Sequence, residues 1–168
     1  MTEVLLSLGS NINREHNIRS GLNALKAEYG TLEISPVYES EAVGFDGDNF
    51  YNLIVAIETN ASLSKLSKTL KHIESLHGRD RASPKFSSRT LDIDILTYDV
   101  LCGIYSGIQL PRDEILKNAF VLLPLSDLRP EGRCPGTQRR YLELWQAFDQ
   151  ESQKLWQVGF IEKEKLAQ

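Results

Sequence analysis

"FYNLIVAIET", residues 50–59, decides the fold. Its second half is almost continuously apolar and rich in β-branched residues, and a loop precedes it, so it reads as a strand. That loop, AVGFDGDN (42–49), carries two glycines and two aspartates. Upstream, "TLEISPVYES" (31–40) alternates as a strand does, with Pro36 pushing it toward an edge or a bulge. Further back, Ile18, Leu22 and Leu25 recur at helical spacing between Arg14 and Lys26, and Gly30 closes that helix. The chain begins with "EVLLSLGS", an apolar strand that runs into the turn residues Gly9-Ser10-Asn11.

Downstream of the deciding strand, Ser62 suits a helix N-cap. Leu63, Leu66, Leu70 and Ile73 then mark one helical face, which Leu76 extends and Gly78 stops. RDRASPKFSSR (79–89) reads as a long basic loop, and "TLDIDILTYD" (90–99) as the fourth strand. The first hundred residues therefore run β-α-β-β-α-β, the split βαβ arrangement of a ferredoxin-like α+β sandwich. An extra strand toward Pro111, helices over 113–128 and 138–148, an irregular stretch at 129–136 and a strand in "QKLWQVGFI" complete the expectation. No repeat, low-complexity segment or linker divides residues 1–168, so one domain is expected.

At 168 residues, 41% hydrophobic and 25% charged, the chain has the composition of a globular domain with a proper core. No run approaches the ~20 apolar residues that span a bilayer, and the N-terminus lacks the pattern of a secretory leader. A cytoplasmic protein without membrane partners is expected. Cys102 and Cys134 have no CxxC and no histidine at ligand spacing, which argues against zinc. The net charge of −4 argues against broad nucleic-acid affinity. Any phosphate must be held by a local cluster.

Such a cluster exists. In the fourth strand Leu91, Ile93 and Ile95 share one face while Asp92 and Asp94 share the other, with Cα atoms ~6–7 Å apart. Two carboxylates so placed suit Mg²⁺, which takes one or two acids plus waters and substrate phosphates. Taken alone, the pair fits an outward polar face equally well. Immediately upstream stand Arg79, Arg81, Lys85 and Arg89, opposed only by Asp80. Arginine forks match phosphate oxygens, so cation, metal and polyphosphate become complementary. There is no G-x-x-x-x-G-K-[ST], so no P-loop holds a nucleotide here.

"SLGSN" (7–11), "SPVYES" (35–40), "FYNLIVAIET" (50–59), "IESLHGRDR" (73–81), "SSRTLDIDIL" (87–96) and "FVLLPLSDLRP" (120–130) occur in the order and spacing of a known family. Over roughly residues 4–148 the chain resembles 6-hydroxymethyl-7,8-dihydropterin pyrophosphokinase of folate biosynthesis. The resemblance implies transfer of pyrophosphate from ATP to the hydroxymethyl group of a reduced pterin, with release of AMP. It implies that Asp92 and Asp94 ligate two Mg²⁺ ions, and that Arg79 and Arg89 engage the ATP phosphates. Glu74, Arg81 and Ile95 match nucleotide-contact positions. For the pterin, Asn52 matches the residue that reads the heterocycle, Ser40 and Val43 line the slot, and Phe120 and Phe86 match its aromatic walls. Both substrates are small molecules, and a monomer or weak dimer is expected.

The chain departs from the pattern in places. Arg112 stands where the family has histidine and Asn118 where it has arginine. Gly107 replaces a basic residue, while Glu41 and Ser88 replace prolines. Arg112 remains able to bind ATP phosphate, being always charged. Asn118 cannot supply the missing charge. These changes leave two readings, a divergent active enzyme or a paralogue that binds a pterin with altered or no activity. Rivals from other classes are an RNA-binding sheet, disfavoured by the acidic charge, and a two-metal nuclease, which lacks a third nearby carboxylate.

Overall fold

The computed structural model describes residues 1–42, 44–78 and 90–159. Strand β1 (Thr2–Ser10) is an interior strand of an antiparallel sheet. On one side it pairs with β4 (Phe50–Thr59), and on the other with β5 (Asp92–Tyr98). Strands β2 (Glu33–Ile34) and β3 (Val37–Ser40) pair with β4, and β8 (Leu155–Val158) adds to β3. The main order is β5-β1-β4-β3-β8. Strands β6 (Gly103–Tyr105) and β7 (Ile108–Leu110) form a separate hairpin. Its two-residue turn places Ser106 at φ 50° and Gly107 at φ 76°, a backbone that explains glycine at a position basic in the resembled family.

Helices cover both faces of the sheet, which is why the deciding strand is so uniformly apolar. Val4, Leu6, Leu8, Leu53, Val55, Ile57, Ile93 and Ile95 pack with residues of α1 (Arg14–Tyr29) and α2 (Leu63–Leu76). On the reverse face Leu5, Ile54, Ala56 and Leu96 pack with Ile115 of α3 (Glu114–Lys117), with α4 (Ala119–Leu128) and with Tyr141 of α5 (Tyr141–Ala147). A bulge reconciles β5 with both layers. Leu6 faces Ile95 but Leu5 faces Thr97, so Leu96 is an extra residue that stays on the α4 side. Tyr98 is thereby turned toward α2, where its hydroxyl donates to the Ala61 carbonyl at 2.7 Å.

The helix boundaries follow local chemistry. Ser62 Oγ caps α2 by accepting from Lys65 N–H at 3.2 Å. Gly30, at φ 81°, ends α1 and donates to the Lys26 carbonyl at 2.9 Å. The expected strand at 31–40 divides into β2 and β3 around Ser35-Pro36. There the Ser35 side chain and backbone both bond Ile54, at 2.8 and 2.9 Å. The single helix expected over 113–128 is two. Asn118 is extended, and its carbonyl accepts from Val121 and Leu122 to begin α4 afresh. Leu76 does not extend the buried face of α2. Glu74 takes the inward position in that turn, and Leu76, about 200° further round, is 68% exposed. The helix expected at 138–148 shortens to α5, and the C-terminal strand to β8. Among the described residues no helix is long and apolar enough to cross a membrane.

Candidate active site

The α4 face of the sheet is apolar at one end and polar at the other. Cross-strand register builds the polar end. Gly9 lies opposite both Asp92 and Asn52, and Asn52 lies opposite Tyr38, so one row crosses four strands. Ser7 faces Asp94 in the next row. Directly opposed residues project to the same side, so acid pair, glycine and amide share one surface. Neighbouring strands are about 4.8 Å apart, which puts Asp92 and Asn52 roughly 10 Å from each other across Gly9. Gly9 keeps that floor flat. A Cβ there would stand 3.6 Å from Asn52 Oδ1 and 3.8 Å from the Phe50 ring.

Asn52 is buried, and its amide nitrogen donates to Ser40 Oγ at 2.8 Å and to the Tyr38 carbonyl at 3.2 Å. Ser40 is thus the support of Asn52, and the carboxamide oxygen is turned toward Gly9. Phe120 is half-buried in the first turn of α4 against the apolar end of this face. Val43 and Phe86, expected in the pterin slot, lie outside the described residues. The sequence reasoning overlooked Phe50. Its ring borders Gly9, and Phe45 meets it edge-on with centroids 6.3 Å apart. The signal was available, because Phe50 and Asn52 are two apart on one strand and so share a face.

At the other end of the row, Asp92 and Asp94 are each half-buried. Burial, and then the neighbouring charge of Asp92, push the Asp94 carboxyl well above the usual carboxylate range, against the pull of Arg112. Among the described residues the two acids face one guanidinium, Arg112, and the excess of negative charge is one that a divalent cation relieves, so the residues fit such an ion. Among the described residues no cluster of three potential ligands exists. A cation bound by the two acids would complete its shell with water or substrate oxygens, as Mg²⁺ does.

Arg112 meets the acid pair from the segment after β7. Its backbone N–H donates to Leu96 carbonyl at 2.8 Å, and its guanidinium grips Glu114 Oε1 through Nε at 3.1 Å and Nη2 at 2.9 Å. Nη2 lies 3.8 Å from Asp94 Oδ1. Arg79, Arg81 and Arg89 lie outside the described residues.

Glu74 and Ile95 belong to the other face. Ile95 is buried beneath the α1 and α2 layer. Glu74 is only 3% exposed, and its Oε2 accepts the Ile93 N–H at 2.8 Å. Among the described residues strand β5 is an edge, so this bond satisfies a donor that no described strand pairs, on the residue between the two acids. Glu74→Ala is expected to destabilise the fold by about 2–3 kcal/mol, the cost of a lost charge-assisted bond and an orphaned donor. Thermal melting should fall by roughly 2–4 °C per kcal/mol for a chain of this size. An unchanged melting temperature would show that β5 holds its place without Glu74.

Fold and site together define a mixed α/β protein with an antiparallel sheet, whose open half-face joins an acid pair to a flat, amide-bearing floor. The model of the 7,8-dihydro-6-hydroxymethylpterin-pyrophosphokinase (HPPK) family matches residues 5–130, and the chain belongs to that family. It is 34% identical over 136 residues to the 2-amino-4-hydroxy-6-hydroxymethyldihydropteridine pyrophosphokinase of Pseudomonas aeruginosa, covering 79% of this chain and 83% of the relative. The Porphyromonas gingivalis protein of the same name is also 34% identical, covering 77% and 92%. Among solved structures, an HPPK-DHPS crystallised in complex with substrates superposes with a TM-score of 0.70 at 14% identity, over 90% of this chain and 44% of that one. A Plasmodium falciparum HPPK-DHPS gives 0.68 at 16% identity, over 88% and 42%. The chain thus spans less than half the length of those solved proteins.

Proposed function

We propose that this chain transfers pyrophosphate from ATP to the hydroxymethyl group of 6-hydroxymethyl-7,8-dihydropterin, releasing AMP in the synthesis of folate. The observation that carries the reading is the single row Asp92–Gly9–Asn52, which sets the acid pair and the buried amide within one substrate length of each other. The order β5-β1-β4-β3 supports a ferredoxin-like core, extended by β8 and by helices on the second face. A single domain acting as a monomer or weak dimer in the cytoplasm suffices for these small substrates.

On this reading Asp92 and Asp94 hold two Mg²⁺ ions together with the ATP phosphates. When bound, the metals neutralise phosphate charge and draw the triphosphate onto the strand. Asn52 offers its carboxamide to the pterin edge, with Ser40 fixing its orientation. Phe50 at the floor, with Phe120, Phe86 and Val43 by family position, encloses the flat ring. The hydroxymethyl oxygen attacks the β-phosphorus, the bond from that phosphorus to the bridging oxygen of AMP breaks, and the hydroxyl proton passes to solvent. No strong general base stands among the assigned residues, so positioning and electrostatics carry the rate. Arg112 and, by family position, Arg79, Arg81 and Arg89 balance the phosphate charge. Ile95 meets the adenine at the β5 edge through its backbone, which alternates outward in step with Ile93.

Purified protein supplied with ATP, Mg²⁺ and the dihydropterin is expected to form AMP and the pterin diphosphate in equal amounts. ADP in place of AMP would refute pyrophosphoryl transfer. Pterin binding without AMP would identify a binding paralogue.

A further inference from the structure

The loop before β4 carries Phe45, whose ring meets Phe50, and its other described residues are mostly polar or glycine. Gly44, Asp46, Gly47 and Asp48 are exposed. Beneath the loop is a hollow of about 530 Å³ lined by polar residues, among them Asn11, Arg14, Glu39, Asp48 and Asn49. Hydrogen bonds close the loop. Asn49 Nδ2 donates to Glu39 Oε2 at 3.0 Å, and Arg14 Nη1 lies 3.2 Å from the same oxygen. Arg14 Nη1 also donates to the Asn49 carbonyl at 3.0 Å, and Asn11 Nδ2 to the Asp48 carbonyl at 3.0 Å. The guanidinium carbon lies 3.8 Å from the centroid of the Tyr51 ring, which fixes the plane of the fork. Burial raises the Glu39 carboxyl, yet hydrogen bonds from Asn49, Arg14 and Trp156 and the Arg14 charge together hold it below its ordinary range.

These contacts lie on the reverse side of the sheet from the pterin floor. Glu39 pairs with Tyr51 on one face, while Ser40 pairs with Phe50 on the other. Asn49 is therefore gripped from behind, one residue before the aromatic that borders Gly9. We propose that Arg14, Glu39 and Asn49 form a latch that positions the Phe45–Phe50 wall, and so sets the affinity for the flat heterocycle without touching it. This rests on the proposed function for the identity of the ligand. The acid pair lies on β5, beyond β1 from β4, so the latch acts on the pterin and leaves the nucleotide alone.

Full-length wild type, Glu39→Ala and Glu39→Gln would be titrated calorimetrically with 6-hydroxymethyl-7,8-dihydropterin. A parallel titration would use a non-hydrolysable ATP analogue with Mg²⁺. Hydrogen exchange would be followed over residues 44–50. Glu39→Ala loses an anchor shared by Asn49, Arg14 and Trp156 of β8, so its pterin Kd should rise about tenfold or more. Its nucleotide Kd should stay within about twofold of wild type, and exchange over 44–50 should quicken. Glu39→Gln keeps an oxygen acceptor for Arg14 and Asn49 and should recover most of the affinity. The latch is refuted if Glu39→Ala binds pterin as wild type does, or if nucleotide affinity falls equally. Wild type that takes up no pterin refutes the proposed function itself, an outcome distinct from both.

Discussion

Asp94→Asn is expected to lower AMP formation by about a thousandfold or more, the scale of losing a preorganised charge at a phosphoryl-transfer centre. The same change should make the metal-free protein more stable. A carboxyl whose folded-state pKa lies above its free value of 3.8 is one that the fold prefers protonated. Below that value both states are protonated and nothing is lost. As pH rises through the interval up to the folded pKa, ionisation increasingly opposes folding, and above it the penalty is constant. Asparagine removes the penalty. Relieving a half-buried like-charge pair is worth about 1 kcal/mol or more, or roughly 2–4 °C in melting temperature per kcal/mol at this length.

Melting curves at pH 4 and pH 8 without divalent metal should therefore show a gap in favour of Asp94→Asn that widens with pH. Adding Mg²⁺ and an ATP analogue should reverse the order, because ligand stabilises only the form that binds it. A metal-free Asp94→Asn protein less stable than wild type at pH 8 would mean that Arg112 already satisfies the pair. The acid pair would then cost the apo fold nothing, and its charge would not be evidence of a cation site.

The sequence was most legible where one residue pattern had one physical solution. The apolar run after Asn52 could only be buried, and Ser62 and Gly30 cap their helices through their own chemistry. The alternation in Leu91–Ile95 sorted Asp92 and Asp94 from their apolar neighbours without any knowledge of the partner strand. What required three dimensions was register. Nothing in "SLGSN" says that Gly9 lies between Asp92 and Asn52, since strand pairing is a tertiary choice. The break at Asn118 was hidden for a similar reason. The apolar period runs through it, and only the competing use of its carbonyl as the start of α4 divides the helix. Glu74 was legible as a family position but not as the acceptor of an edge-strand N–H, because that role depends on β5 lying at the sheet margin.

The second large effect concerns the amide. Asn52→Leu keeps the number and branching of the side-chain heavy atoms but removes the carboxamide, orphaning the Ser40 hydroxyl and the Tyr38 carbonyl that it joins. It also removes the group facing the floor beside Gly9. A site built to hydrogen-bond a polar ring discriminates through the cost of unpaired groups, so the loss falls on ligand binding. Two such bonds correspond to about a hundredfold in pterin Kd. The ATP analogue, which the proposed function assigns to the β5 acids across the sheet, should bind Asn52→Leu within about twofold of wild type. Calorimetry of the two ligands separates these outcomes. If pterin affinity survives the substitution, then Asn52 is only the brace between β3 and β4, and the heterocycle must be read from elsewhere. If nucleotide affinity falls in parallel, the row Asp92–Gly9–Asn52 is one coupled structural unit and not two neighbouring subsites.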